Sequence, residues 1–218
     1  EVMTTAAVTA PPGTSLEDAY RLMMHHKIGK LPLVDDNGKL VGLYSFTDVK
    51  NLVENKQPLY SRDASHRLRV AAAVGVADHP RVEMLAEHGV DVLVVDSAHG
   101  HTRGVVDMVR WIAEHYDDID IIAGNVATGE GAQALREAGA HAVKVGIGPG
   151  SICTTRVVCG VGIPQVTAVF DVARALEGSI PIVADGGVRH SGHVPKAIVA
   201  GADSVMLGSL LAGTDESP

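Results

Sequence analysis

From Val70 to the end of the chain, helix-like stretches, glycines and short apolar runs recur in a regular order. Residues 85–96, 135–146 and 197–208 show the pattern most clearly. In each copy a helical stretch ends at a glycine, which accepts the left-handed conformation of a helix C-terminus, and an apolar, β-branched run follows. The pattern therefore predicts a series of β/α units.

The apolar runs predict six strands. Three end the copies above, and the others lie within residues 68–76, 119–125 and 180–187. Near-continuous apolar runs are typical of parallel strands buried on both faces. Each run ends in polar or glycine-rich residues, as on the active face of a (β/α) barrel. Six strands cannot close an eight-stranded barrel, so the alternatives are an open doubly wound sheet or a barrel with two strands outside this chain.

The first 58 residues follow a different pattern. Residues 15–27 have the periodicity of an amphipathic helix. Two short apolar runs, LPLVDD and LVGLYS, meet at an Asp-Asn-Gly sequence, which predicts a hairpin. A second helix follows, with Thr47 as a candidate N-cap. A polar stretch containing Pro58 comes next, so we expect domains at 1–58 and 68–218, joined by a linker at 59–67.

Composition excludes several classes of function. The chain has 218 residues, a net charge of −8 and no cluster of Lys and Arg, so it lacks the positive surface that nucleic acids and anionic membranes require. No apolar run approaches the roughly 20 residues of a membrane span. Two cysteines in unlike contexts and no apolar signal segment predict a reduced, cytoplasmic protein.

Candidate chemistry concentrates in GIGPGSICTTR, residues 146–156. Glycines allow backbone N–H groups to approach an anion, and Ser151, Thr154 and Thr155 supply hydroxyl donors. These residues surround Cys153, a potential nucleophile at the end of a predicted strand. The alternative interpretation is a glycine-rich turn around a cysteine that only packs.

Six segments of the second half resemble the IMP dehydrogenase / GMP reductase family, in the family's order. They are VDSAHGHT, AGNVATGEGA, VGIGPGSICTTR, GVGIPQVTA, VADGGVRHSG and VMLGSLLAGT. The resemblance implies an α/β fold, a TIM (β/α)8 barrel of which this chain holds six strands. Compared with that family, the chain begins inside the family's inserted domain and ends before its mobile flap, so the resemblance predicts a partial chain.

The first 58 residues resemble a CBS (Bateman-type) module, with VDDNGKLVGLYSFTDV as the matching core. The family carries two such modules after its second barrel strand, and the match is to the second of the pair. In such modules Ser45 and Asp48 would hold the phosphate and ribose of an adenine or guanine nucleotide.

The resemblance implies an NAD-dependent oxidoreductase, IMP dehydrogenase, which oxidises IMP to xanthosine monophosphate in guanine nucleotide biosynthesis. Cys153 would attack C2 of IMP, hydride would pass to NAD, and water positioned by Thr155 would hydrolyse the covalent thioimidate. The family's potassium ion would bind backbone carbonyls of Gly148, Gly150 and Cys153. The resemblance also predicts a homotetramer.

The remaining assignments lie at the predicted strand ends. Asp185 would accept hydrogen bonds from the ribose hydroxyls of IMP, because a carboxylate suits a vicinal diol. The residues assigned to phosphate are Ser151, Gly187, Gly208 and Ser209. The residues assigned to NAD are Asp96, Ser97, Asn125 and Gly146. His193 stands where the family's Ser-Gly is followed by aspartate, an exchange whose effect the sequence does not define.

Three other functions remain open. GMP reductase shares the cysteine loop and the barrel but reductively deaminates its nucleotide; GSLLAGT and DGGVRHSG favour the dehydrogenase. A catalytically impaired, nucleotide-binding fragment would use mainly the CBS segment. A different phosphate-binding barrel enzyme would need neither NAD nor the thiol.

Overall fold

The computed structural model describes residues 6–54, 61–63 and 67–217. The chain forms two compact units, Glu1–Leu68 and Arg69–Pro218. Most of the predicted linker, at 59–60 and 64–66, lies outside the described residues. Of the helices in the described ranges, none combines the length and apolar character that a membrane span requires.

The first unit has the predicted helix, hairpin and helix. Its elements are α1 (Leu16–His26), β1 (Lys30–Val34), β2 (Leu40–Ser45) and α2 (Phe46–Glu54). Ser15 caps α1 by accepting a hydrogen bond from the Asp18 N–H at 3.1 Å. Strands β1 and β2 pair antiparallel, as the turn sequence predicts. Because α2 begins at Phe46, Thr47 lies inside its first turn, and the prediction of Thr47 as the N-cap is wrong.

The second unit alternates strands and helices along its whole length. Its strands are β3 (Ala71–Val74), β4 (Val92–Asp96), β5 (Asp120–Val126), β6 (Ala142–Val145), β7 (Ile182–Asp185) and β8 (Ser204–Met206). Its helices are α3 (His79–Glu87), α4 (Arg103–His115), α5 (Gly129–Glu137), α6 (Thr155–Val158), α7 (Gln165–Leu176) and α8 (His193–Val199). All six predicted strands are therefore present.

The order of these strands decides between the two predicted architectures. The six strands are parallel and neighbour one another in chain order, from β3 to β8. A doubly wound sheet reverses its order at a switch point, and no reversal occurs here. Right-handed crossovers without a reversal place successive helices on one face. The sheet is thus consistent with part of a (β/α)8 barrel, and the doubly wound alternative is wrong.

The core of this unit lies between the sheet and its helices. Leu93, Ile121 and Val143 on the strands are fully buried, as are Val109 and Leu135 on α4 and α5. Aliphatic side chains dominate, as the low aromatic content predicts. The packing holds the strands parallel, so their carboxyl ends meet at one edge of the sheet.

Candidate active site

Among the cavities at the carboxyl ends of the strands, two contain the predicted site residues. The first, here called the glycine cavity, has a volume of about 940 Å³ and is lined by Asp185–Val188, Met206–Ser209 and the loop at 150–152. The second, the thiol cavity, has a volume of about 320 Å³ and is lined by Asp96, Asn125, Lys144, Cys153 and Thr155, among others. Gly150, Asp185 and Gly186 line both cavities, so the two adjoin.

The predicted site residues group by assigned ligand around these cavities, and Asp185 lines both of them. The five residues assigned to IMP all line the glycine cavity: Ser151, Asp185, Gly187, Gly208 and Ser209. The four residues assigned to NAD all line the thiol cavity: Asp96, Ser97, Asn125 and Gly146. Cys153 and Thr155 line the thiol cavity as well. Residues up to 113 positions apart in the chain are thereby grouped around the wall that the two cavities share. The ligands of these residues stay a prediction.

Cys153 is solvent-exposed, which excludes the interpretation of a buried packing residue. Its Sγ lies 3.2 Å from Thr155 Oγ1. The Thr155 hydroxyl lowers the pKa of Cys153 most strongly, and the Thr155 backbone N–H lowers it further; burial opposes them by raising the pKa, and the Arg156 charge lowers it by less than burial raises it. A lower pKa increases the fraction of thiolate, the nucleophilic form, at neutral pH.

Arg156 connects the cysteine loop to the segment that precedes α7. Its Nη2 donates to the Ile163 carbonyl at 2.6 Å, and its Nε donates to the Ile147 carbonyl at 3.4 Å. The stem of the side chain packs on Gly148 and Gly162, where a Cβ would come within 2.6 and 2.7 Å of Arg156 Cγ. The two glycines thus make room for this cross-connection.

Two site residues were not predicted from the sequence. Lys144, in the middle of the AVKV strand, is buried between Asp96 and Asp185. A single charge in a run predicted to be buried on both faces was the available signal. Gln165, the first residue of α7, donates from Nε2 to the carbonyls of Val145 and Asp185 at 2.8 and 3.1 Å. It ties the ends of β6 and β7 together, and no local pattern marks it.

Glycine conformations hold the shared wall in place. Gly146 has φ +147°, and a side chain there would collide with the backbone oxygen of Asp185. Gly186 has φ +85°, and a Cβ there would lie 3.0 Å from Pro149 and 3.1 Å from the Gly150 nitrogen. Both positions require a residue without a side chain, because the cysteine loop passes directly against the end of β7.

The other predicted positions have simpler surroundings. Gly148, Gly150 and Cys153 line the thiol cavity, and the Gly150 carbonyl accepts a hydrogen bond from the Cys153 N–H at 3.1 Å. His193 Nδ1 lies 3.3 Å from the Arg189 nitrogen and 3.4 Å from the Gly187 oxygen, so its ring supports the turn after β7. No cluster of His, Cys, Asp and Glu suited to a metal occurs within the described ranges.

Ser45 and Asp48, the residues predicted to bind a regulatory nucleotide, lie in the first unit. Ser45 is the half-buried last residue of β2, and Asp48 is exposed in the first turn of α2. They are three positions apart and lie on either side of the direct junction of β2 and α2. Their ligand stays a prediction.

Comparison with known proteins places this site in a family. A family model described as "IMP dehydrogenase / GMP reductase domain" matches residues 23–218. The chain belongs to the IMP dehydrogenase / GMP reductase family. This family membership confirms the resemblance drawn from the six motifs.

Curated relatives carry the name inosine-5′-monophosphate dehydrogenase. The proteins from Halalkalibacterium halodurans and Bacillus subtilis are each 55% identical over 97% of this chain. The protein from Aquifex aeolicus is 53% identical over the same share. The match covers 44%, 43% and 43% of these relatives, so this chain spans less than half of their length.

Similar solved structures carry a different enzyme name. GMP reductase from Trypanosoma brucei in complex with guanosine 5′-monophosphate is 46% identical, with a TM-score of 0.91. The same enzyme in complex with guanosine 5′-triphosphate is 47% identical, with a TM-score of 0.90. Each match covers 97% of this chain, and 45% and 51% of those chains. The family is therefore shown, and both of its activities have similar relatives.

Proposed function

We propose that this chain carries the active site of an IMP dehydrogenase, which oxidises IMP to xanthosine monophosphate with NAD. The observation that carries the proposal is Cys153, an exposed thiol of lowered pKa that lines the thiol cavity and is hydrogen-bonded through its N–H to Gly150, a residue that lines both cavities. The names of the relatives that are 53–55% identical support the dehydrogenase. Because the chain spans less than half of their length, the activity of the whole protein is also a proposal and not a finding.

In this proposal the Cys153 thiolate bonds to C2 of IMP, and the ring carbon becomes tetrahedral. NAD, when bound, accepts the hydride that leaves C2. The C2–sulfur bond then carries the oxidised purine as a covalent thioimidate. We assign Thr155, whose hydroxyl lies 3.2 Å from the sulfur, the role of orienting the water that replaces it. The products are xanthosine monophosphate, NADH and a proton, and the Cys153 thiol is restored.

The lining of the glycine cavity suits a nucleotide monophosphate. Glycine N–H groups and the hydroxyls of Ser151 and Ser209 are donors that match phosphate oxygens. The Asp185 side chain is 24% exposed at the wall of this cavity, where a carboxylate can accept from ribose hydroxyls. A volume of about 940 Å³ accommodates a ligand of this size.

The thiol cavity suits the nicotinamide riboside of NAD. The Asp96 side chain is 50% exposed there, and only its Oδ1 is used by Lys144, so Oδ2 can accept from a ribose hydroxyl. The carbonyls of Gly148, Gly150 and Cys153 are oxygen donors of the kind that a potassium ion would need. Potassium binding at this loop is part of the proposal.

GMP reductase is the second candidate function. It is favoured by the similarity to the GMP-bound enzyme from Trypanosoma brucei, at a TM-score of 0.91. The same thiol would attack C2 of GMP, ammonia would leave, and a reduced nicotinamide nucleotide would supply hydride. The two activities therefore differ in the nucleotide consumed and in the direction of hydride transfer.

Intact mass spectrometry after incubation with IMP and NAD tests the proposal. We expect a covalent adduct of the mass of the oxidised nucleotide, lost in Cys153→Ser and retained in Cys159→Ser, because both thiols are exposed but Cys159 lines neither of the two cavities. Adduct with GMP and NADPH, accompanied by ammonia release, would instead identify the reductase. Nucleotide binding without any adduct would rule out Cys153 as the nucleophile.

We further propose that residues 1–58 form a CBS module that binds an adenine or guanine nucleotide through Ser45 and Asp48. We also propose that the complete protein is cytoplasmic and forms a homotetramer. The helix, hairpin and helix of the first unit support the module. Titration with ATP and GTP tests the nucleotide site, and we expect Asp48→Ala to abolish binding while the IMP affinity is retained. Sedimentation of the complete protein tests the tetramer.

A further inference from the structure

Lys144 has the single buried charged side chain among the residues that the structure describes. It lies in β6, and its side chain is only 5% exposed. A buried charge is costly unless it is paired, and an apolar residue of similar volume would pack there at least as well. The reaction proposed above gives Lys144 no chemical step. Its place in the wall of the thiol cavity, against Asp185, therefore calls for a different role.

The Lys144 ammonium joins the two carboxylates that line the cavities. Nζ lies 2.7 Å from Asp185 Oδ2 and 2.9 Å from Asp96 Oδ1. Since both oxygens contact one nitrogen, they cannot be more than 5.6 Å apart, the sum of those two distances. Two carboxylates this close repel each other, and only the shared cation makes the arrangement favourable.

These contacts determine which Asp185 oxygen is available to a ligand. Oδ2 accepts from Lys144 and also from Asn125 Nδ2 at 2.9 Å. Within the described ranges, no hydrogen bond to Oδ1 is found, and Asp185 lines the glycine cavity. Oδ1 is therefore the oxygen left to accept from a hydroxyl group. Asn125 is itself held by its second hydrogen bond, to the Gly146 carbonyl at 2.7 Å.

We propose that Lys144 is a positioning residue that orients Asp185 and thereby gives the site its preference for ribonucleotides over 2′-deoxyribonucleotides. The proposal rests on the proposed function, in which Asp185 accepts hydrogen bonds from the ribose of the purine nucleotide. Without the ammonium, the Asp185 carboxylate turns away from Asp96 and loses its alignment with the 2′-hydroxyl. Lys144 itself is paired with the two carboxylates and takes no chemical step in the proposed reaction.

The test compares the affinities of IMP and 2′-deoxy-IMP by calorimetry. A hydrogen bond between a hydroxyl and a charged group corresponds to a preference of roughly 10-fold or more for IMP in the unmodified protein. We expect Lys144→Met to reduce this preference to about 3-fold or less, and Lys144→Arg to retain most of it, because Arg also pairs with carboxylates. Lys196→Met, at an exposed position of α8, is the matched control and leaves the preference unchanged.

The ratio of the affinities for IMP and 2′-deoxy-IMP distinguishes a positioning role of Lys144 from a general structural role. A merely structural Lys144 would weaken both nucleotides equally, so an unchanged ratio in a folded Lys144→Met protein would overturn the inference. If that variant does not fold, Lys144→Gln removes the charge and keeps a polar side chain, and an unaltered ratio there would overturn the inference equally. If the unmodified protein binds neither nucleotide, the proposed function fails first and this inference fails with it.

Discussion

Replacement of Gly146 by alanine is the sharpest test of how the site is built. Gly146 has φ +147° and lies where β6 enters the cysteine loop. Its N–H donates to the Val126 carbonyl at 2.9 Å, and its own carbonyl accepts from Asn125 at 2.7 Å. The backbone is therefore held on both sides, and an added Cβ would be directed at the Asp185 oxygen.

Two effects contribute to the expected loss of stability. A non-glycine residue at positive φ costs about 1–2 kcal/mol. Insertion of a methyl group into a site that cannot expand costs about 1–3 kcal/mol more. Because backbone oxygen and the Gln165 amide, 3.1 Å from the added Cβ, both resist displacement, we expect a total of about 2–5 kcal/mol.

Gly178→Ala provides the matched control. Gly178 also has positive φ, +75°, but a Cβ there meets nothing within 4 Å. We expect it to cost only the conformational strain, about 1–2 kcal/mol. Urea unfolding followed by the fluorescence of Trp111, the single tryptophan, measures the second unit in both variants. If the two variants differ by less than about 0.5 kcal/mol, the collision with Asp185 does not matter and our account of the shared wall is wrong.

Two further predictions follow from the shifted pKa values. Because the Thr155 hydroxyl lowers the pKa of Cys153, any stabilisation by the thiolate is present above the pKa of the unfolded chain and is lost as pH falls through the pKa of the folded protein. In a Cys159→Ser background, Thr155→Val should move the pH midpoint of iodoacetamide alkylation upward, and Thr155→Ser should not. Equal midpoints in the two variants would contradict this. In the first unit, the Tyr20 hydroxyl donates to Glu54 at 2.9 Å, and this hydrogen bond raises the pKa of Tyr20. The contribution of Tyr20 to stability is therefore present below pH 10 and is lost as pH rises through the pKa of the folded protein. Ultraviolet titration should show a lower pKa for Tyr20 in Glu54→Gln, and an unchanged titration would contradict the role of Glu54.

Local sequence patterns were sufficient to predict the elements. The apolar runs predicted all six strands of the second unit, because strands buried on both faces need continuous apolar residues. Gly89, Gly139 and Gly201 have positive φ where the helix ends were predicted. The error at Thr47 was a matter of one residue in a helix boundary, where the backbone hydrogen bonds and not the side-chain type decide the start.

The site could be predicted only where residues carry a recognisable motif. Cys153, Asp185 and Asp96 belong to such motifs and line the two cavities, while their roles stay predictions. Lys144 and Gln165 belong to the site through hydrogen bonds to partners that lie 20 or more positions away in the chain. Neither spacing nor composition reveals such long-range pairs.

The sequence by itself determined the strands and helices, the motif around Cys153 and the family, since these depend on local periodicity and on residue types in a fixed order. Only the tertiary structure decided that the strands follow one another without reversal, that Asp185 is the wall shared by two cavities, and that one buried ammonium holds two carboxylates together. The physical reason is the parallel sheet, which brings distant strand ends within hydrogen-bonding distance and buries the charge that joins them.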